Sequence, residues 1–376
     1  MKLSIPQEGL HSLLQSVTSA AQGQADTMAI LRNALLEATE GFLTATCTNL
    51  ELTLVARAQL IDITTDGAVT VPAKLLQGIS ASLRGGSNIE LELEGNQLSV
   101  KSGRYSGKLE TLPPEDFPRL DPGNGVDGIV MKSAVLAKML SETHFAMAQS
   151  DPRYYLNGML VEISEEGLRL VATDGHRLSC SETAECSAAG DAAPRKGIVP
   201  RNSINALRPL LAFSEDVELV MGDNQVRFSL SDRHMTSKLI EGRYPEYRRV
   251  IPERQEKPVL ANREALESAM SRVALVARES RGVRDQRIPL VSVLVKENLV
   301  GISTEGGQGA QAQDEIEAGY HGPEIKVGFN AIYLTDVLRS LQSEEVEIHV
   351  RDGNSSVLVC APDEQTVQHI VMPMRL

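Results

Sequence analysis

Val71–Leu76 reads VPAKLL, Val199–Ile204 reads VPRNSI and Val327–Ile332 reads VGFNAI, and each step along the chain is 128 residues. A period of that length is too long for a solenoid and suits a whole domain. The surroundings repeat with it. Leu10, Leu13, Leu14 and Val17 are echoed by Leu136, Met139, Leu140 and Thr143, and again by Leu266, Ala269, Met270 and Val273. Each set is the i, i+3, i+4, i+7 stripe of a helix packing one face on a sheet. Downstream lie IELEL (Ile89–Leu93), VELVM (Val217–Met221) and VEIHV (Val346–Val350). Each run is followed by a polar turn, Glu94-Gly95-Asn96, Gly222-Asp223-Asn224 or Asp352-Gly353-Asn354, which is the hairpin signal.

The expected fold is therefore α+β: three tandem domains over residues 1–120, 128–252 and 258–376, each with two helices on antiparallel sheets. The connections around Phe117–Gly128 and Pro252–Pro258 are rich in turn formers and read as links. Helices are predicted at 7–20, 73–84, 132–149, 201–213, 262–278 and 330–342.

At 376 residues the length suits three domains. No apolar run approaches the roughly 18 residues of a membrane span, and MKLSIPQEGL lacks a signal peptide's apolar stretch. Cys47, Cys180, Cys186 and Cys360 form no CxxC pair, so reduced thiols in a cytoplasmic protein are expected. Cys180, Cys186 and His176 do not have the spacing of a common zinc site, and neither a metal nor a cofactor is expected. GxSxG, HExxH and P-loop spacings are absent, so the Asp174-Gly175-His176 turn has no nucleophile to serve and the chain reads as a non-enzyme.

The net charge of −13 argues against nucleic acid, but the charge is segregated. The six predicted helices hold Lys74, Arg84, Lys132, Lys138, Arg201, Arg208, Arg263, Arg272, Arg278 and Arg339. Against these stand only Glu8, Glu142, Glu264, Glu267 and Asp336. Two such chains joined head to tail would close a ring of six domains. Basic helices inside and acidic sheets outside would then surround a polyanion by sequence-independent phosphate contacts.

DPRYYLNGML (Asp151–Leu160), VATDGHRLS (Val171–Ser179), EGRYPEYRRVIP (Glu241–Pro252), GFNAIY (Gly328–Tyr333) and VMPMRL (Val371–Leu376) occur in this order. Over its whole length the chain resembles the bacterial sliding clamp, the beta subunit of DNA polymerase III. The resemblance implies half of a closed ring, a homodimer that encircles duplex DNA and tethers replicative and repair polymerases, the clamp loader and other clamp-binding-motif proteins. It also implies one peptide-docking pocket per chain. Leu156, Leu178, Pro245, Val250, Val371, Met372 and Met374 would form its apolar floor. Thr173, Gly175, His176, Arg177, Arg249, Asn330, Tyr333, Asn354, Ser356, Pro373, Arg375 and Leu376 would form its walls.

For DNA contact the resemblance and the helix charges point to Lys74, Arg84, Lys132, Lys138, Gln149, Arg153, Tyr154, Tyr155, Arg201 and Arg208. At the dimer interface Leu275 and Val276 match the third-domain side, while a first-domain aromatic position is Gly107 here, leaving Tyr105 and Leu109 to carry that surface. The loop Gln22–Met28 lacks the arginine that related clamps often carry there. The run Arg278, Arg281, Arg284 and Arg287 suggests intersubunit salt bridges. A specialised or resistance-type second copy of the clamp is the alternative.

Overall fold

The structure is a computed structural model that describes residues 1–21, 28–119, 128–189, 194–279, 288–305 and 310–376. Most of the Gln22–Met28 loop and of the 117–128 link, and Arg281, Arg284 and Arg287, lie outside the described residues.

Each third of the chain supplies two α-helices: α1 (Gln7–Val17) and α2 (Ala73–Ser82), α3 (Ser133–Thr143) and α4 (Arg201–Leu210), α5 (Arg263–Glu279) and α6 (Ala331–Ser340). The three apolar stripes lie inward, and every one of their residues is at most 3% exposed. Burying each Leu, Val or Met contributes about 1.5–3 kcal/mol. Local chemistry sets the ends. Asn262 and Asn330 cap α5 and α6 by accepting the amides of Ala265 and Ile332. Pro209, with no amide to donate, stands in the last turn of α4.

The helix expected at 132–149 is shorter. Lys132 is the last residue of strand Gly128–Lys132, and the helix stops at Thr143. Thr143 Oγ1 donates to Met139 O at 2.7 Å, the His144 ring sits 2.8 Å from Leu140 O, and a single 3-10 turn (His144–Ala146) follows. Side chains there compete for carbonyls near the helix end. Gln149 consequently lies outside the helix.

The chain divides into two compact units, Met1–Ala137 with Glu185–Leu239, and Lys138–Ala184 with Ile240–Leu376. Three repeats but two units means that the middle repeat is shared. In the first unit a nine-stranded sheet joins Arg233–Lys238 of the second repeat to Leu52–Gln59 of the first, antiparallel, with Arg233 opposite Ala56. A five-stranded sheet built from the first repeat completes this unit. In the second unit Arg177–Thr183 of the second repeat pairs with Val367–Val371 of the third, Arg177 opposite Val371.

Each joint holds one largely buried arginine. Arg233 donates to Ser12 Oγ at 2.9 Å and Ser16 Oγ at 2.8 Å on α1, pairs with Asp232, and lies 3.8 Å over the Phe213 ring. Arg177 occupies the corresponding place at the second joint.

Candidate functional site

The expected docking residues gather in the second unit. Their centre is the turn between strands Gly167–Thr173 and Arg177–Thr183. Asp174 Oδ1 accepts the amides of His176 (2.9 Å) and Arg177 (3.0 Å), and Thr173 Oγ1 accepts that of Gly175 while donating to Arg177 O. Gly175 has φ +88°, a left-handed conformation that favours glycine, and the Arg153 guanidinium lies over the space a Cβ would take. The turn leaves His176 outside and sends Arg177 inward.

Arg177 has little left for a ligand. Nε donates to Asp174 (3.1 Å), Nη1 to Asp336 (2.7 Å) and Nη2 to Phe145 O (2.8 Å). Its guanidinium lies over the Tyr333 ring, and its side chain is 10% exposed. Expected as part of the pocket wall, it instead cross-links the joint behind that wall. Asp174, Asp336 and Phe145 complete this network.

The tail is held from both sides. The Met372 amide donates to His176 O and the Met374 amide to Gly328 O, both at 2.8 Å. Gly328 permits this approach, because a Cβ there would collide with the Met374 carbonyl. The His176 and Tyr333 rings are nearly parallel, 6.4 Å apart. Asn330, which caps α6, lies close enough to hydrogen-bond the Tyr333 hydroxyl, whose pKa burial raises. Met372, Pro373 and Met374 are half-buried, and Arg375 and Leu376 are exposed.

Segment 241–252 is anchored by two tyrosines: Tyr244 Oη donates to Val171 O at 3.3 Å and Tyr247 Oη to Glu162 at 2.7 Å. Pro245, Arg249 and Val250 remain exposed. Beside Met372 a cavity of about 620 Å³ opens, bounded by Arg249, Val250 and Ser356, and also by Ile251, Gln255 and His349. Sequence reasoning missed the last three. Asn354 stands exposed on a loop tied by Asp352, which accepts the amides of Asn354 and Ser355.

Leu156, Leu178 and Val371 are 2%, 4% and 0% exposed, so they support the groove from beneath rather than forming an open floor. Thr173 and Asn330 are similarly buried.

The expected DNA contacts differ among themselves. Lys74, Arg84 and Arg208 are exposed and, among the described residues, have no ion-pair partner. Lys132 is paired with Glu215 and Asp216, Lys138 with Glu142 and Glu364, and Arg153 with Asp151. Arg201 is half-buried at the start of α4, and Gln149 is exposed. Tyr154 is 58% exposed and meets Tyr155 edge-on at 5.8 Å, so this pair is not core.

At the expected dimer surface Leu275 is 64% exposed and Val276 half-buried. Leu109 departs from its expected role: it is 6% exposed, facing Leu98 across the sheet within its own domain. Tyr105 does reach outward, and its phenol lies over Gly107, 2.6 Å from where a Cβ would stand.

Repeated α+β domains joined by shared sheets, with an apolar tail laid beside a cavity, define a tandem-domain clamp fold. The family models for the DNA polymerase III beta subunit match in order: the N-terminal domain over residues 1–121, the central domain over 130–246 and the C-terminal domain over 248–375. The chain is 38% identical to the beta sliding clamp of Escherichia coli K12 and 40% to that of Proteus mirabilis, with 100% of both chains covered in each case. Among solved structures it is similar to the DNA polymerase III subunit beta of Pseudomonas aeruginosa (TM-score 0.90, 35% identity). It is also similar to a Bartonella birtlesii sliding clamp bound to griselimycin (TM-score 0.91, 30% identity); both matches cover 100% of both chains. The chain belongs to the DNA polymerase III beta subunit family, the beta sliding clamps, which serve DNA replication.

Among the described residues no helix is long and apolar enough to cross a membrane.

Proposed function

We propose that two copies of this chain close head to tail into a ring that surrounds duplex DNA without reading its sequence. The ring acts as a processivity factor with no chemistry of its own. The observation that carries this reading is the ordered match of three clamp-domain families along one chain, which supports working boundaries at 1–120, 128–252 and 258–376. Lys74, Arg84 and Arg208, exposed and without an ion-pair partner among the described residues, supply phosphate contacts that allow sliding.

The groove beside Met372 docks short apolar peptide segments of polymerases, the clamp loader and other clamp-binding proteins. Adaptable methionines fill irregular gaps, and Arg249, which has no ion-pair partner among the described residues, orients a carbonyl or carboxylate. Two sliding clamps of similar structure have been solved bound to griselimycin, which supports using that compound as a probe.

The test is topological. Protein loaded on nicked circular DNA should be retained while the circle is intact and lost once it is cut to linear form. Equal retention on both forms rejects the ring.

A further inference from the structure

The wall of the cavity beside Met372 is irregular chain. Residues 252–258 form no helix or strand and, among the described residues, make no backbone–backbone hydrogen bond. What holds them comes from the third repeat. Arg254 donates to Glu364 O at 2.8 Å and lies 3.7 Å from Glu347, and the Gln255 amide donates to His349 Nδ1 at 3.0 Å. His349, the last residue of strand Glu345–His349, is 3% exposed and lines the same cavity as Ile251 and Gln255.

This bond fixes the histidine's tautomer. A backbone amide only donates, so Nδ1 must present its lone pair and the single proton of the neutral ring sits on Nε2. Nε2 lies 3.2 Å from Glu347 Oε2 and donates to it. The ring therefore spans from the cavity wall to the strand.

Resting on the reading of this cavity as a ligand groove, we propose that His349 is a positioning residue for it: the neutral ring latches the Ile251–Gln255 wall, and protonation of Nδ1 releases it. An imidazolium has two donors, and its Nδ1–H would point at the Gln255 N–H.

The groups facing His349 are Glu347 on its own strand, Arg254 on the wall and Cys360 on the paired strand, where apolar Leu358 is its direct partner. Burial holds the histidine's pKa below its ordinary value, opposed by Glu347 and reinforced by Arg254. The latch is thus closed at neutral pH and opens as the pH falls through the acidic range.

The test measures griselimycin affinity of the full-length protein between about pH 5 and pH 8, for wild type, His349→Asn and His349→Leu. Asn keeps an acceptor near Nδ1 and does not titrate; Leu keeps the bulk without the acceptor. Wild-type affinity should weaken toward acid. H349N should bind like wild type near pH 8 and lose the pH dependence, and H349L should bind roughly tenfold more weakly at every pH.

Hydrogen–deuterium exchange of the 251–257 segment, read without ligand, should quicken in H349L and stay slow in H349N. Identical pH profiles in wild type and H349L, together with unchanged exchange, overturn the latch. Failure of wild type to bind griselimycin while H349L exchanges faster overturns the groove reading and leaves the His349–Gln255 contact standing.

Discussion

The guanidinium of Arg177 lies 4.5 Å above the ring of Tyr333, so a cation from the second repeat is stacked on an aromatic from the third. Asp174 and Asp336 neutralise it, and Phe145 O takes its remaining Nη. Arg177→Ala would leave two carboxylates facing each other with no cation between them. We expect a loss of about 3 kcal/mol, with Arg177→Lys intermediate because lysine keeps the charge but not the fork. Thermal unfolding followed in parallel with exchange at residues 367–371 reads this; an unchanged melting temperature in R177A contradicts it.

Near Arg177, His369 is fully buried, with Nδ1 2.9 Å from Ser179 Oγ and Nε2 3.4 Å from Ser340 Oγ. Burial lowers its pKa to about 3. In the unfolded chain the ordinary value is about 6.5, so the unfolded state binds the extra proton first as pH falls. Stability should be complete above about pH 6.5 and decline steadily toward about pH 3. His369→Gln should flatten that part of a stability-versus-pH curve measured by denaturant titration; an unaltered slope removes His369 as its source.

The tail should be needed for ligand and dispensable for assembly. Deleting Met374–Leu376 removes the strand contact with Gly328, and Met372→Ala removes an apolar wall of the cavity. Each should weaken griselimycin binding at least tenfold, an apolar anchor being worth about 2 kcal/mol. Sedimentation should show the same oligomer as wild type. Full affinity in both variants would mean that the cavity lies elsewhere.

Tyr105 should carry the first-domain side of the dimer surface. Its phenol covers the place where a side chain on residue 107 would stand, whereas Leu109 is occupied in its own core. Tyr105→Ala should raise the dimer dissociation constant about tenfold, with Leu109→Ala lowering stability instead. Equilibrium sedimentation separates the two, and the reverse pattern would exchange their roles.

Charge reversal should act unevenly across the basic residues. Lys74→Glu and Arg84→Glu remove cations with no internal partner among the described residues, whereas Lys132→Glu also breaks pairs with Glu215 and Asp216. DNA affinity should fall for K74E and R84E, and the slope of log affinity against log salt should shrink by about 0.9 for each lost phosphate contact. An unchanged slope in both would place these side chains away from DNA.

The parts legible in the sequence were those with a short period. The apolar stripes recur within two turns of helix, and they are the residues the fold buries. Strand sharing left no such mark, since the pairing of Arg233 with Ala56 depends on register between distant segments. Arg177 looked like a free wall residue because its partner Asp336 is 159 positions away. His349 alternates with Val350 and shares the polar face of VEIHV with Glu347, which reads as exposed, yet it is buried, with the distant Gln255 amide bonded to its ring. Leu109 was misjudged for the converse reason. Alternation put it on one face with Tyr105, but Leu98 opposite it draws that end of the strand into the core.

The middle repeat gives one strand, 233–238, to the first repeat's sheet and another, 177–183, to the third's. Cut out alone, it would present two long unpaired backbone edges to solvent, each a template for pairing with another chain. The modules are thus repeated in sequence without being separable as proteins. No single cut releases the two units intact, because each is assembled from two separate stretches of chain, Met1–Ala137 with Glu185–Leu239 and Lys138–Ala184 with Ile240–Leu376.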